Sequence, residues 1–146
     1  MVDVTPKAET LRIAVARGHV NAKPETILLI AEQGFKKGDV LEVARLAGIM
    51  GAKRTSELIP LCHPLALTSV KVNLSVNHAE NRVEIEAEAQ TVGRTGVEME
   101  ALTAVSVAGL TVYDMCKAVD REMMVSEIRL VKKIGGKSGT FVREEK

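Results

Sequence analysis

Four charged residues, Glu98, Glu100, Asp114 and Lys117, interrupt an otherwise apolar stretch from Val97 to Val119. Charges inside an apolar element are costly unless they are paired or put to use, so these side chains are the first candidates for chemistry. Asp114 and Lys117 stand at i and i+3, where a carboxylate and an ammonium on a helix can pair and shift each other's proton affinity. Such a pair suits acid and base work, although an ordinary intrahelical ion pair would use the same two residues. Glu100 and Asp114 share a helical face, yet fourteen residues at about 1.5 Å each put them about 21 Å apart. They cannot act on one bond. If both ends of the helix are functional, they belong to two sites, each completed by a neighbouring subunit.

Local basic density is the second signal: Lys36-Lys37-Gly38, Lys53-Arg54, Lys132-Lys133, and Lys137 among glycines. Ammonium groups on short loops suit phosphate oxygens, and a solvated surface accounts for most lysines equally well. Gly136-Lys137-Ser138 is not a Walker loop, because Val131 stands where that motif needs glycine and no helix follows. His63, between Cys62 and Pro64, has only Cys116, His19, His78 and carboxylates as metal-ligand companions, without ligand spacing, so no metal site is expected. No nucleophile elbow or dinucleotide glycine pattern occurs either.

The elements that must position these residues belong to a chain of 146 residues, 46% hydrophobic and 27% charged. That is the length and composition of one globular domain. Twenty Lys+Arg against nineteen Asp+Glu leave a net charge of +1, and aromatics are only 2%. There is neither the basic field nor the stacking platform that nucleic-acid binders use, and no charge that would draw the chain to a membrane. The longest aliphatic run, Ile27 to Ala31, is far too short to span a bilayer, and Asp3 and Glu9 sit where a signal core would be. A cytoplasmic protein is expected. Cys62 and Cys116 are too few for a disulfide framework.

Leu11, Ile13 and Val15, alternating with Arg12, Ala14 and Ala16, predict a first strand, with Gly18 ending or bending it. A short helix is expected from Pro24 to Gly34. A second begins after the Asp39 cap at Val40 and is interrupted by Gly48 and Gly51, with another turn or two before Ile59. Alternation predicts strands over 70–76 and 83–89, joined by a polar hairpin that carries His78. Helix 97–119 and a strand over 125–133 follow. The order predicts a single α+β domain of the ferredoxin-like kind, an antiparallel sheet with helices packed on one face, with 1–9 and 135–146 flexible. Apolar residues all round helix 97–119 need cover on both sides, and a subunit interface is the natural second cover, which predicts a homo-oligomer.

Six segments resemble one family: Met1-Val2-Asp3-Val4, Lys37-Gly38-Asp39-Val40, the run 52–65 (AKRTSELIPLCHPL), the run 95–104 (TGVEMEALTA), the run 113–119 (YDMCKAV), and Gly135-Gly136-Lys137-Ser138-Gly139. Together, in order and across essentially the whole chain, they are similar to the cyclic pyranopterin monophosphate synthase (MoaC) family of molybdenum cofactor biosynthesis. Ile134 departs from the serine expected before the double glycine. The resemblance implies a homohexamer, a trimer of dimers with sites at subunit interfaces. It also implies a substrate, a cyclic dihydroguanosine triphosphate made from GTP by an upstream radical cyclase, that is converted to cyclic pyranopterin monophosphate and pyrophosphate.

By the same resemblance Leu61, Cys62, His63, Met99 and Glu100 match substrate-contacting positions, and Asp114 matches the principal catalytic residue. Lys37, Lys117, Asp3 and Glu98 match further active-site positions, while Lys133 and Lys137 match basic residues near the triphosphate. Repeated proton transfers suit Asp114 and a Lys117 of lowered pKa, with Lys37 as a second acid/base or phosphate clamp. No cofactor is required by the sequence, and Mg²⁺ can accompany the triphosphate. The alternative is a ferredoxin-like module that binds a guanine nucleotide without converting it.

Overall fold

Small side chains decide how this sheet meets its helices. In a computed structural model that describes residues 1–145, β1 (Thr10–Asn21) turns Arg12, Ala14 and Ala16 inward. Leu11 is 46% exposed and Ile13 and Val15 are half-buried. The small residues take the inner face there, because a helix lying close against this part of the strand leaves room for little more than Ala. Nor does Gly18 end the strand. β1 continues through it, with register shifts against one neighbouring strand between Val15 and Ala16 and between Arg17 and His19. A Cβ at Gly18 would stand 2.9 Å from Val105 Cγ1 of the overlying helix.

The remaining elements are α1 (Pro24–Ala31), α2 (Val40–Lys53), α3 (Thr55–Leu58), β2 (Ser69–Asn77), β3 (Arg82–Gly93), α4 (Glu98–Cys116), β4 (Met124–Ile134) and β5 (Phe141–Val142). The sheet order is β2-β3-β1-β4-β5, and every pairing is antiparallel. The first four strands with their helices make the expected ferredoxin-like α+β plan. In the central pair Ala14 faces Ala89, Ala16 faces Ala87 and Val20 faces Val83, all buried beneath the helices. The opposite face carries charged partners such as Arg17 and Glu86, 2.7 Å apart.

α2 does not stop at its glycines. It begins where the Asp39 carboxylate accepts the Glu42 backbone N–H at 3.2 Å and runs to Lys53. Gly48 and Gly51 are contact points. A Cβ would lie 2.9 Å from the Ala104 carbonyl oxygen at the first and 2.8 Å from Val107 Cγ2 at the second. α2 therefore lies against α4 and supplies, within the same chain, the second cover that the sequence assigned to a neighbouring subunit. Leu110, 62% exposed, and Leu46 and Met50 of α2 remain open.

α1 has no cap of its own at Lys23; the buried Asp120, beyond the end of α4, caps it from a distance. Its carboxylate accepts hydrogen bonds from Lys23 N at 2.9 Å, Thr26 Oγ1 at 2.9 Å and Glu122 N at 3.2 Å. His78 is exposed in the hairpin turn, as its polar neighbours predict. The segment after β4 contributes β5, with Lys133 facing Phe141 and Lys132 facing Val142. Two residues are too few to show a period, so the sequence contains no sign of this strand. At the other end Val2 accepts a hydrogen bond from His63. Lys146, in the tail expected to be flexible, lies outside the described residues. No helix among the described residues is long and apolar enough to cross a membrane.

Candidate active site

The turn after β3 delivers the chain to the start of α4, and Val97 there offers no side-chain cap. Two acids take up the first turn, where a helix N-terminus favours negative charge. Glu100 is buried at 4% exposure. Burial lifts its carboxyl above the usual range and the nearby Glu98 charge adds to the lift, against a hydrogen bond from its own backbone N–H. The segment pinned by Pro60 and Pro64 packs opposite. Leu61, Cys62 and His63 on one side and Glu98, Met99 and Glu100 on the other line a cavity of about 160 Å³. Burial pushes the Cys62 thiol up, and Glu100 pushes it further. His63 Nε2 donates to the Val2 carbonyl oxygen at 2.7 Å. Asp3 stands near enough to feel the His63 charge, and hydrogen bonds from the Thr5 hydroxyl at 2.6 Å and backbone N–H at 2.9 Å hold its carboxyl below the usual range.

On the far side of Glu98 opens a larger cavity of about 720 Å³, a volume typical of small-molecule sites. Its cations are Lys7, Arg12, Lys133 and Lys137. Lys133 Nζ lies 2.6 Å from Glu98 Oε1, so the same glutamate that borders the small cavity holds a lysine of the large one. Arg12, only 7% exposed, hydrogen-bonds the Gly93 carbonyl oxygen through Nε at 3.4 Å. It lies against the left-handed Gly136, where a Cβ would collide with its guanidinium. Sequence reasoning named Arg12 only as part of a strand and not as a site residue. The signal was there: an arginine in phase with Ala14 and Ala16 on the small-residue face.

The opposite end of α4 gathers the remaining candidates. Lys117 Nζ lies 2.7 Å from Asp114 Oδ1. Lys37, in the loop before α2, reaches across to stand 3.8 Å from Asp114 Oδ2 and donates to the Asp114 backbone oxygen at 3.2 Å. Lys117, first through its hydrogen bond and then through its charge, and Lys37 hold the Asp114 carboxyl below the usual range. Asp114 raises Lys117 in return. The sequence expected a Lys117 of lowered pKa; in this chain the shift is upward, because all three groups are exposed and paired instead of being desolvated together. Cys116 beside them is buried, and burial pushes its thiol up to about 11, so it is an inert core residue.

The structure thus gathers the candidates at two ends. Asp3, Leu61, Cys62, His63, Glu98, Met99, Glu100, Lys133 and Lys137 surround the N-terminal end of α4. Lys37, Asp114 and Lys117 stand at its C-terminal end. α4 is one unbroken helix between them, so the span of about 21 Å estimated from its rise stands and the two groups do not meet within a chain. Among the described residues no cluster of three or more His, Cys, Asp or Glu could hold a metal ion.

Residues 1–136 match the model of the MoaC family. The chain is 63% identical over 145 residues to the cyclic pyranopterin monophosphate synthase of Thermomicrobium roseum, covering 99% of this chain and 87% of that protein. It is 65% identical over 141 residues to the protein of that name from Rhodospirillum rubrum, covering 97% and 85%. With that from Heliobacterium modesticaldum it shares 61% over 145 residues, covering 99% and 91%.

Proposed function

The chain belongs to the MoaC family, and from that premise we propose that it is a lyase of molybdenum cofactor biosynthesis. It converts (8S)-3′,8-cyclo-7,8-dihydroguanosine 5′-triphosphate, supplied by a radical GTP cyclase, to cyclic pyranopterin monophosphate and diphosphate. The observation that carries this is the near-full-length likeness to proteins of that name. The geometry supplies matching chemistry. Arg12, Lys133 and Lys137 line a cavity of the right size for a triphosphate and would stabilise the charge of departing pyrophosphate. The smaller cavity, between Leu61-Cys62-His63 and Met99-Glu100, takes part of the ring system, beside a Glu100 carboxyl that burial keeps protonated to higher pH than an ordinary glutamate.

Asp114 and Lys117 serve as acid and base for the ring rearrangement, with Lys37 as their partner or a phosphate clamp. Because α4 keeps these residues far from Glu100, a complete site takes its two halves from two copies of the chain. We therefore propose a homo-oligomer, a hexamer built as a trimer of dimers, working in the cytoplasm without nucleic acid or membrane partners. No resident cofactor is needed, and Mg²⁺ would arrive with the triphosphate.

The test is incubation of the purified protein with the cyclic dihydroguanosine triphosphate, following both products. Equal amounts of pyrophosphate and cyclic pyranopterin monophosphate are expected. Saturable binding with neither product would instead make the protein a nucleotide-binding module.

A further inference from the structure

Gly96 is a glycine for which the backbone provides no reason. It is absent from the positions with positive φ, which are Gly38, Gly135, Gly136 and Gly139 among the glycines, so its backbone is one that side-chain-bearing residues adopt. Nor does it face a crowded core. The three atoms nearest to where its Cβ would stand all belong to the Glu98 carboxyl: Oε1 at 2.6 Å, Cδ at 2.7 Å, and Oε2 closer still. Glu98 has folded back over residue 96, and from that place its Oε1 meets Lys133 Nζ at 2.6 Å. Thr95, Gly96 and Glu98 border both cavities, so this carboxylate stands in the wall between them.

We propose that Gly96 is a positioning residue: the missing side chain leaves the notch in which the Glu98 carboxylate lies, and that notch keeps Glu98 on Lys133. Glu98 then occupies, as an internal anion, the lysine that a phosphate group entering the larger cavity would contact. Gly96 thereby sets how strongly the cavity attracts phosphate and where Glu98 goes when one arrives. This rests on the larger cavity being the triphosphate site. The three atoms that a methyl group at position 96 would meet first all belong to the far end of a flexible side chain, so it moves the carboxylate and spares the fold.

Four proteins test it: wild type, Gly96→Ala, Glu98→Ala and the double variant, each measured for binding of inorganic pyrophosphate and for Tm, together with a crystal structure of Gly96→Ala. In that crystal structure the Glu98 carboxylate is expected away from Lys133, with the backbone of 95–98 in place and Tm unmoved. Freeing a partly exposed lysine from its partner should tighten pyrophosphate binding about three- to fivefold. In the Glu98→Ala background the same Gly96→Ala change should do nothing, since no carboxylate remains to be displaced. An equal effect in both backgrounds would mean that Gly96 acts through the backbone, and the proposal falls. It also falls if the carboxylate of Gly96→Ala still sits on Lys133. Failure of all four proteins to bind pyrophosphate would remove the phosphate role of the cavity, while the position of Glu98 in the crystal would still decide the role of Gly96.

Discussion

Asp114, 2.7 Å from Lys117 and 3.8 Å from Lys37, is in its charged form at neutral pH, and so is Lys117. Proton transfer requires a substrate that separates or desolvates them, so the pair is a poised acid and base, not an active one. Exposed ion pairs add little to stability. Asp114→Asn and Lys117→Ala are therefore expected to lower kcat by about 10²- to 10⁴-fold with Tm unchanged, which steady-state kinetics beside a melting curve would check. Glu100 behaves in the opposite way. Its folded pKa is raised, so ionising it costs stability as pH climbs above the ordinary value of 4.5. Glu100→Gln should raise Tm at pH 7 to 8, gain nothing near pH 4, and lose turnover, the trade expected of a group kept for function. Of these residues, the Asp114 and Lys117 pair was legible from its i, i+3 spacing, because neighbours on a helix are fixed by the helix itself. The reach of Lys37 to Asp114 was not, since their contact joins positions 77 apart in the chain.

At the scale of elements, the contact between α2 and α4 and the remote cap of α1 hold the site's supports in place. Gly48 and Gly51 let α2 lie against Ala104 and Val107, so Gly51→Val should force the helices apart. Overpacking of this kind costs about 1–3 kcal/mol, measurable as a lower urea midpoint. Asp120 is the more telling case. Burial works to raise its carboxyl, yet the hydrogen bonds from Lys23, Thr26 and Glu122 outweigh burial and hold it below the usual range. Asp120→Ala should cost about 1–3 kcal/mol, because it leaves the N-terminus of α1 uncapped and the Thr26 hydroxyl buried without its acceptor. Wild-type Asp120 gives its full benefit above the ordinary value of 3.8 and loses it as pH falls below that through the depressed folded value. The two proteins should therefore converge in stability in acid. Strands β2 and β3 could be read from alternation because their outward residues are polar. β1 could not be oriented, because Ala and Val faces differ in size and not in polarity.

For the whole molecule, the unbroken α4 turns an arrangement of residues into a statement about assembly. If each reaction centre joins the Glu100 end of one copy to the Asp114 end of another, two inactive variants can rescue each other. Asp114→Asn mixed with Lys133→Ala and allowed to exchange subunits should recover roughly a quarter of wild-type turnover when copies associate at random. No recovery, with exchange demonstrated by mass spectrometry, would place both halves of the site on one chain. The sequence by itself determined the elements other than β5 and their order, the ferredoxin-like plan, the family, and the separation of the two charged ends, since periodicity, runs of motif residues and helical rise are properties of local chain. Only the tertiary structure decided that Arg12 faces inward, that α2 covers α4, that Glu98 lies in the notch at Gly96 and holds Lys133, and that Lys117 is raised instead of lowered. Those outcomes depend on close approach and desolvation between segments distant in the chain, and neither leaves a period or a spacing to be read.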